Sequence, residues 1–248
     1  MKTLYIILLI NYLLGNSLED AFNIAGQNKI ELQKAINLVP NEQSSSMEWI
    51  IRNMPQKHLI VINADFLIKN SNLAYEMKNN SPWGNTIPEE IFLNYVLPYS
   101  NLNERIDNWR PEFYEKFYPL VKDLESSYQA AVLLNKKIFD LLGVKYSTKR
   151  KKADQSPFES IESGMASCTG LSILLIDACR SVGIPARFVG TPLWYNNSGN
   201  HSWVEIWDNE WHFTGAAEPT GDKLNEVWFL SLANKAIVGD MNYGIFAT

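Results

Sequence analysis

Two cysteines and three histidines are the side chains best suited to nucleophilic or metal chemistry in this chain. Both cysteines lie in the segment GMASCTGLSILLIDACRSVG, where Cys168 precedes an apolar run and Cys179 follows eleven positions later. If both lie on one helix, a rise of about 1.5 Å per residue places them about 16 Å apart. A disulfide needs Cα atoms within about 7 Å of each other. We therefore expect two free thiols.

The surroundings of the two cysteines predict different roles. Cys179 is flanked by Ile176, Ala178 and Val182 on an apolar helix, so we interpret it as a small buried packing residue. The neighbours of Cys168 are small, and the free N–H groups and positive dipole end of a helix N-terminus would favour its thiolate form. The same N–H groups could stabilise an oxyanion if the sulfur attacked a carbonyl. Position alone leaves Cys168 open between a nucleophile and a buried structural cysteine.

A thiol enzyme needs a histidine that first accepts and then returns a proton. His201 begins the alternating run HSWVEIW after a glycine-containing loop, so its side chain can stand at a sheet edge facing a cleft. We interpret His58, in the helical N-terminal part, as a surface or packing residue, and His212, in the run EWHFT, as structural. The cysteines and histidines lack the spacing of zinc ligands, so no metal site is predicted.

The elements that must position these residues predict an α+β fold. From residue 18 to 143, apolar residues recur at helical spacing and end in SSYQAAVLLNKKIFDLLG, with serine at its start and Gly143 as its stop. After an irregular polar connection over 145–164 come the helix with both cysteines, a strand in IPARFVG, and a hairpin of HSWVEIW and EWHFT. Residues 220–248 add a predicted helix in LNEVWFLSLANKA and a short strand in YGIFA. Helices followed by antiparallel strands are typical of α+β domains.

The first residues, MKTLYIILLINYLLGNS, have the basic, apolar and small-residue regions of a secretory signal peptide. Their apolar run of about eleven residues is shorter than the 20 or so that a membrane-spanning helix needs. We therefore expect residues 1–17 to be removed, no stable membrane span afterwards, and a secreted, periplasmic or cell-surface protein. The net charge of −5, with basic residues scattered among acids, argues against a nucleic-acid partner.

Three blocks in the second half of the chain resemble the transglutaminase-like superfamily. They are GMASCTGLSILLIDACRSVGIPARFVG over 164–190, NHSWVEIW over 200–207 and EWHF over 210–213, and they occur in the order of that family's core. The superfamily comprises papain-like thiol enzymes such as animal transglutaminases, peptide N-glycanases and many secreted bacterial proteins. The resemblance covers about residues 125–220. It implies a papain-like core in which a helix with cysteine at its N-terminus packs on an antiparallel sheet.

This resemblance places the family nucleophile at Cys168 and the general base at His201. It departs at the third position, where the family has aspartate four residues after a tryptophan and this chain has Gly215 four residues after Trp211. Glu218 follows three residues later and could reach back to the imidazole, although water, a backbone carbonyl or the hydroxyl of Thr214 could serve instead. Loss of an orienting acid can slow such chemistry by several orders of magnitude.

We therefore predict a signal peptide over 1–17, a helical region over 18–124, and a transglutaminase-like core over 125–248, leaving open whether the core is cut short at its C-terminal end. The expected activity is acyl transfer or hydrolysis on an amide of a protein, peptide or glycopeptide, through a Cys168 thioester. The alternative is an inactive module of the same fold that binds peptide or glycan. No cofactor is implied, because the chain has no phosphate loop, dinucleotide fingerprint or metal cluster.

Overall fold

The structure is a computed structural model, and it describes residues 17–248. The predicted signal peptide therefore lies outside the described residues, apart from Ser17. The chain divides into two compact units, whose described parts are 17–72 and 73–248, and the division falls within one helix. No helix in the described range is long and apolar enough to cross a membrane.

The first unit is helical. Its helices are α1 (Leu18–Ala25), α2 (Lys29–Leu38), α3 (Ser44–Asn53), α4 (Gln56–Leu59) and the beginning of α5 (Ala64–Asn80). Ser17 caps α1, since its side chain accepts a hydrogen bond from the N–H of Asp20 while the Asp20 carboxylate accepts from the N–H of Ser17. Buried apolar side chains at helical spacing form its core, among them Leu32, Met47 and Leu67. The predicted helical character of this part is confirmed.

The second unit contains the remaining helices and the sheets. The helices are α6 (Glu89–Tyr95), α7 (Trp109–Val121), α8 (Ser127–Leu142), α9 (Pro157–Ser163), α10 (Cys168–Ser181) and α11 (Leu230–Ala233). The strands are β1 (Lys145–Tyr146), β2 (Met165–Ala166), β3 (Ala186–Thr191), β4 (His201–Asp208), β5 (Glu210–Thr214) and β6 (Phe246–Ala247). β1 and β2 pair in parallel, and the other four form an antiparallel sheet in the order β5-β4-β3-β6.

Helix α10 lies at the centre of this unit and packs against β3 and β4 of the sheet and against α7, α8 and α9. Almost all of its residues after the first turn are buried, which is why the sequence over 171–179 is apolar nearly all round. This arrangement confirms the predicted α+β fold, with a cysteine-bearing helix packed on an antiparallel sheet.

Buried charged side chains fix the C-terminal part of α10. The guanidinium of Arg180 donates two hydrogen bonds to the carbonyl of Ala186, at 3.1 and 2.9 Å, which ties the helix to β3. Arg110 of α7 donates to the carbonyl of Arg180 at 2.7 Å. Asp177 accepts a hydrogen bond from the side-chain amide of Asn101 at 2.9 Å, and burial raises the pKa of its carboxyl group. These bonds hold the helix that presents Cys168.

Two segments differ from the sequence-based expectation. Residues 145–164 are not an irregular connection, because they contain β1 and α9. Ser156 and Glu159 form a capping box with Pro157 as the first helical residue, and Gly164 ends α9 in the left-handed conformation. These local signals are sufficient to start and stop a short helix.

The predicted helix in LNEVWFLSLANKA is also wrong, since only Leu230–Ala233 is α-helical. Asn225 has a φ of 66°, and it exchanges hydrogen bonds with Phe213 of β5 through its N–H and its side-chain oxygen. The segment therefore follows the sheet before it turns, and Phe229 enters the core beside Trp203. The short strand predicted in YGIFA is confirmed as β6.

Candidate active site

Cys168 is the first residue of α10, as predicted. The preceding residue, Ser167, caps the helix: its hydroxyl accepts a hydrogen bond from the N–H of Gly170 at 3.1 Å and donates one to the carbonyl of Ala153 at 2.6 Å. A helix start leaves its first N–H groups without intrahelical partners, and here these include the N–H groups of Cys168 and Thr169. The sulfur thus lies beside backbone donors that could bind a developing negative charge.

The environments of the two thiols differ as predicted. Cys168 is half-buried and Cys179 is fully buried, and neither takes part in a disulfide. Burial raises the pKa of the Cys179 thiol, so this group stays protonated at neutral pH. The structure thereby confirms two free thiols and a packing position for Cys179.

His201 is the first residue of β4, and its side chain is buried among aromatic rings. The ring of Phe229 meets the imidazole edge-on at 4.7 Å between centroids, and the ring of Trp228 lies at 5.1 Å. Burial lowers the pKa of His201 to about 4, so the imidazole is neutral at neutral pH. Its Nε2 atom has no hydrogen-bond partner among residues 17–248. A neutral, buried imidazole is in the protonation state that a general base requires.

Cys168 and His201 line the same cavity, which has a volume of about 250 Å³. The residues that follow them are also in contact, because the hydroxyls of Thr169 and Ser202 form a hydrogen bond of 3.1 Å. This bond joins the start of α10 directly to the start of β4. The other residues lining the cavity are Tyr146, Leu171, Asn200, Ala216, Ala217, Glu218 and Trp228.

Glu218 occupies the space that a side chain at position 215 would fill. A Cβ atom built on Gly215 would lie 2.2 Å from the Glu218 Oε2 atom and 3.0 Å from its Cβ atom. The same Oε2 atom lies 3.7 Å from Nε2 of His201. Glycine at this position therefore makes room for a carboxylate that arrives from three residues further along the chain. Of the side chains considered for the third position, Glu218 lines the cavity with Cys168 and His201, and Thr214 does not.

The turn that carries Glu218 is fixed by Asn135 of α8, whose side chain is buried. Its amide nitrogen donates to the hydroxyl of Thr214 at 3.0 Å and to the carbonyl of Gly215 at 2.9 Å, and its oxygen accepts from the N–H of Ala217 at 2.9 Å. One side chain thus satisfies three groups of the turn over 214–217. Sequence reasoning missed Asn135, because the turn lies about 80 residues away along the chain and only the fold brings them together.

Trp228 holds the carboxylate from the other side. Its indole N–H donates to Oε2 of Glu218 at 2.8 Å, although the ring itself is 61% exposed. Burial raises the pKa of Glu218, and the hydrogen bond from Trp228 opposes this shift. The sequence showed no signal for this role, since Trp228 lies in the segment that was predicted to be a plain helix.

The remaining histidines lie elsewhere. His58 is buried in the first unit, and His212 of β5 hydrogen bonds to the side chain of Asn225 at 3.0 Å and meets the ring of Tyr128 edge-on. Within residues 17–248, no group of three or more His, Cys, Asp or Glu side chains is arranged to hold a metal ion. Of the residues that the sequence singled out, the structure brings Cys168, His201 and Glu218 to one cavity.

Part of the chain is similar to known proteins. Residues 118–215 match the family model of the transglutaminase-like superfamily. No curated protein sequence matches the chain. A crystal structure from Cytophaga hutchinsonii, described as a "Putative Cysteine Protease", is similar with a TM-score of 0.43 and 18% identity over 54% of this chain. The chain spans 44% of the length of that protein. The segment that is similar to this superfamily carries α10 and strands β3, β4 and β5, and so includes Cys168 and His201.

Proposed function

We propose that this protein is a papain-like thiol enzyme that attacks an amide of a protein, peptide or glycopeptide, with Cys168 as nucleophile, His201 as general base and acid, and Glu218 as the orienting acid. The observation that carries the proposal is that all three line one cavity, with the Glu218 carboxylate in the space left free by Gly215. If the carboxylate of Glu218 interacts with Nε2 of His201, the other ring nitrogen, Nδ1, is free to exchange a proton with the thiol of Cys168.

The reaction follows from these positions. As the sulfur of Cys168 bonds to the carbonyl carbon, His201 takes the thiol proton, and N–H groups at the start of α10 bind the oxyanion. The carbon–nitrogen bond then breaks, His201 gives its proton to the leaving nitrogen, and a thioester remains. Water or an amine attacks the thioester and returns the proton to the sulfur through His201. Secretion by the predicted signal peptide would place this chemistry outside the cytoplasm.

Alkylation by iodoacetamide tests the proton transfer without knowledge of the substrate. We expect rapid modification of Cys168 near pH 6 and loss of that reactivity in His201→Ala, measured by mass spectrometry of the intact protein. Cys179 should remain unmodified, since it is fully buried. Glu226→Gln is a matched control, because this nearby exposed acid pairs with Lys223 rather than with the site. Slow alkylation with the pH dependence of an ordinary thiol would contradict the proposal.

The class of reaction can then be assigned with a mixture of peptides that contain asparagine and glutamine and of glycopeptides. Ammonia release, incorporation of a primary amine, chain cleavage and release of glycan distinguish the four outcomes. Each should be absent in Cys168→Ser, and an acyl adduct on Cys168 should be trapped at low pH.

A binding module without catalysis remains the second candidate, because the aspartate expected in the family is replaced by Gly215 and Trp228 presents an exposed ring at the cavity. Such a module would bind the same peptides or glycopeptides equally well with Cys168→Ser, and its thiol would alkylate slowly.

A further inference from the structure

A second cavity lies beside the candidate active site, between β3, β4, β6 and the loop before α7. Its volume is about 290 Å³, near the lower limit for ligand sites, so it fits a part of a ligand better than a whole one. Most of its lining is apolar: Leu102, Phe188, Gly190, Pro192 and Phe246. No lysine, arginine, aspartate or glutamate is among the described residues that line it. Its lining therefore favours an uncharged, apolar occupant.

This cavity adjoins the site that contains Cys168. His201 lines both cavities, and Ser202, which lines the second, hydrogen bonds to Thr169 next to Cys168. A substrate that reacts at Cys168 and extends past His201 would reach the second cavity.

Gly190 keeps the second cavity open. A Cβ atom built at this position would lie 3.1 Å from the carbonyl oxygen of His201, 3.3 Å from the ring of Phe188 and 3.5 Å from the hydroxyl of Ser202. Phe188 and Ser202 both line the cavity, so a side chain at 190 would project into it. A glycine in the middle of a strand weakens the strand, and a site where a ligand approaches closely is one reason for its presence.

We propose that this second cavity is a subsite for an apolar side chain, aromatic or branched aliphatic, on the substrate residue next to the amide that Cys168 attacks. The inference rests on the proposed function and names the substrate class of that same site. Burial of such a side chain against apolar walls would favour substrates with a large apolar group over those with a small one.

Binding of small amides tests the subsite independently of catalysis. Ligand-observed NMR on Cys168→Ser should show that 3-phenylpropanamide binds about tenfold or more tightly than propanamide, which lacks the ring. In Cys168→Ser/Gly190→Ala the preference should fall by about tenfold, because the added methyl group occupies the cavity. Equal binding of the two amides, or an unchanged preference in the glycine variant, would overturn the proposal.

A second variant covers the case in which the glycine variant does not fold. Phe188→Ala, also made in the Cys168→Ser protein, enlarges the cavity and should shift the preference toward 3-(2-naphthyl)propanamide. Phe66→Ala is the matched control, since it removes a half-buried phenylalanine from the first unit and should leave both preferences unchanged. If neither cavity variant differs from this control, the subsite is refuted.

Alkylation of Cys168 in the wild-type protein distinguishes failure of the subsite from failure of the proposed function. Slow alkylation of Cys168 together with ring-selective binding would refute the enzyme and retain the apolar site. Rapid alkylation without ring-selective binding would retain the enzyme and refute the subsite.

Discussion

Replacing Glu218 by glutamine isolates the role of its charge, because the side chain keeps its size. At 3.7 Å from Nε2, a carboxylate stabilises an imidazolium by about 4 kcal/mol at an effective dielectric constant of about 20. The Glu218 side chain is 39% exposed, and solvent screening reduces this to about 2–3 kcal/mol. Since 1.36 kcal/mol corresponds to a factor of ten, we expect Glu218→Gln to slow alkylation of Cys168 roughly 30- to 150-fold.

Gly215→Ala should act through the same carboxylate but more weakly. The new Cβ atom would stand 2.2 Å from Oε2, so the carboxylate must retreat by about 1.2 Å to reach ordinary contact distance. The same Coulomb estimate at the longer distance gives a loss of roughly two- to threefold. Gly215→Asp combined with Glu218→Ala returns a carboxylate to this space from the other position and should recover much of the rate.

The assay is the second-order rate of iodoacetamide modification at pH 6, followed by intact mass. Glu226→Gln controls for the general effect of removing one negative charge from this part of the surface. A wild-type rate in Glu218→Gln would show that the carboxylate does not stabilise the imidazolium. A loss in Gly215→Ala as large as that in Glu218→Gln would show that the turn, rather than the charge, matters.

Four further outcomes follow from the site. Because burial lowers the pKa of His201, the alkylation rate should fall on acidification with a midpoint below 6.5; a midpoint at 6.5 or above would contradict a buried neutral imidazole. Between about pH 6.5 and pH 4, the side chain of His201 binds a proton in the unfolded chain but not in the folded chain. The free energy of unfolding should therefore decrease by up to about 3 kcal/mol as the pH falls through this range. Urea denaturation should show a smaller decrease in His201→Gln. Asn135→Ala removes three hydrogen bonds from the turn and should lower the free energy of unfolding by about 2–3 kcal/mol and slow alkylation; an unchanged denaturation midpoint would refute its clamping role. Trp228→Phe keeps a ring but removes the hydrogen bond from the indole N–H to Glu218, so alkylation of Cys168 should slow. The pKa of Glu218 should rise, as NMR of its carboxyl group would show. Trp207→Phe, which lies outside the cavity, is the control.

The elements with strong local signals were predictable. Ser126 and Gly143 mark the two ends of α8, and the apolar run after Cys168 predicts a buried helix, because capping groups and side-chain periodicity act within a few residues. The capping box at Ser156 is an equally local signal, so the start of α9 is also encoded within its own segment.

The error in the tail has a different cause. Leu224, Val227 and Trp228 have the three- and four-residue spacing of a helix, but only Leu224 of the three is buried, and Asn225 bonds to β5. Tertiary contacts therefore outweigh the local helical preference, which is worth only fractions of a kcal/mol per residue.

The sequence by itself determined the fold class, the separation of the two thiols and the positions of Cys168 and His201 at the starts of a helix and a strand, because each depends on local pattern or on helix geometry. Only the tertiary structure shows which carboxylate lies near the imidazole of His201. Whether Glu218 can replace an acid at Gly215 depends on the path of a turn held by Asn135, which lies 80 residues before Gly215, and on an indole N–H from Trp228, whose segment follows the sheet. The apolar cavity at Gly190 likewise exists only once β3, β4 and β6 have assembled. Distances between such groups are set by packing, and packing is not encoded in the spacing of any one segment.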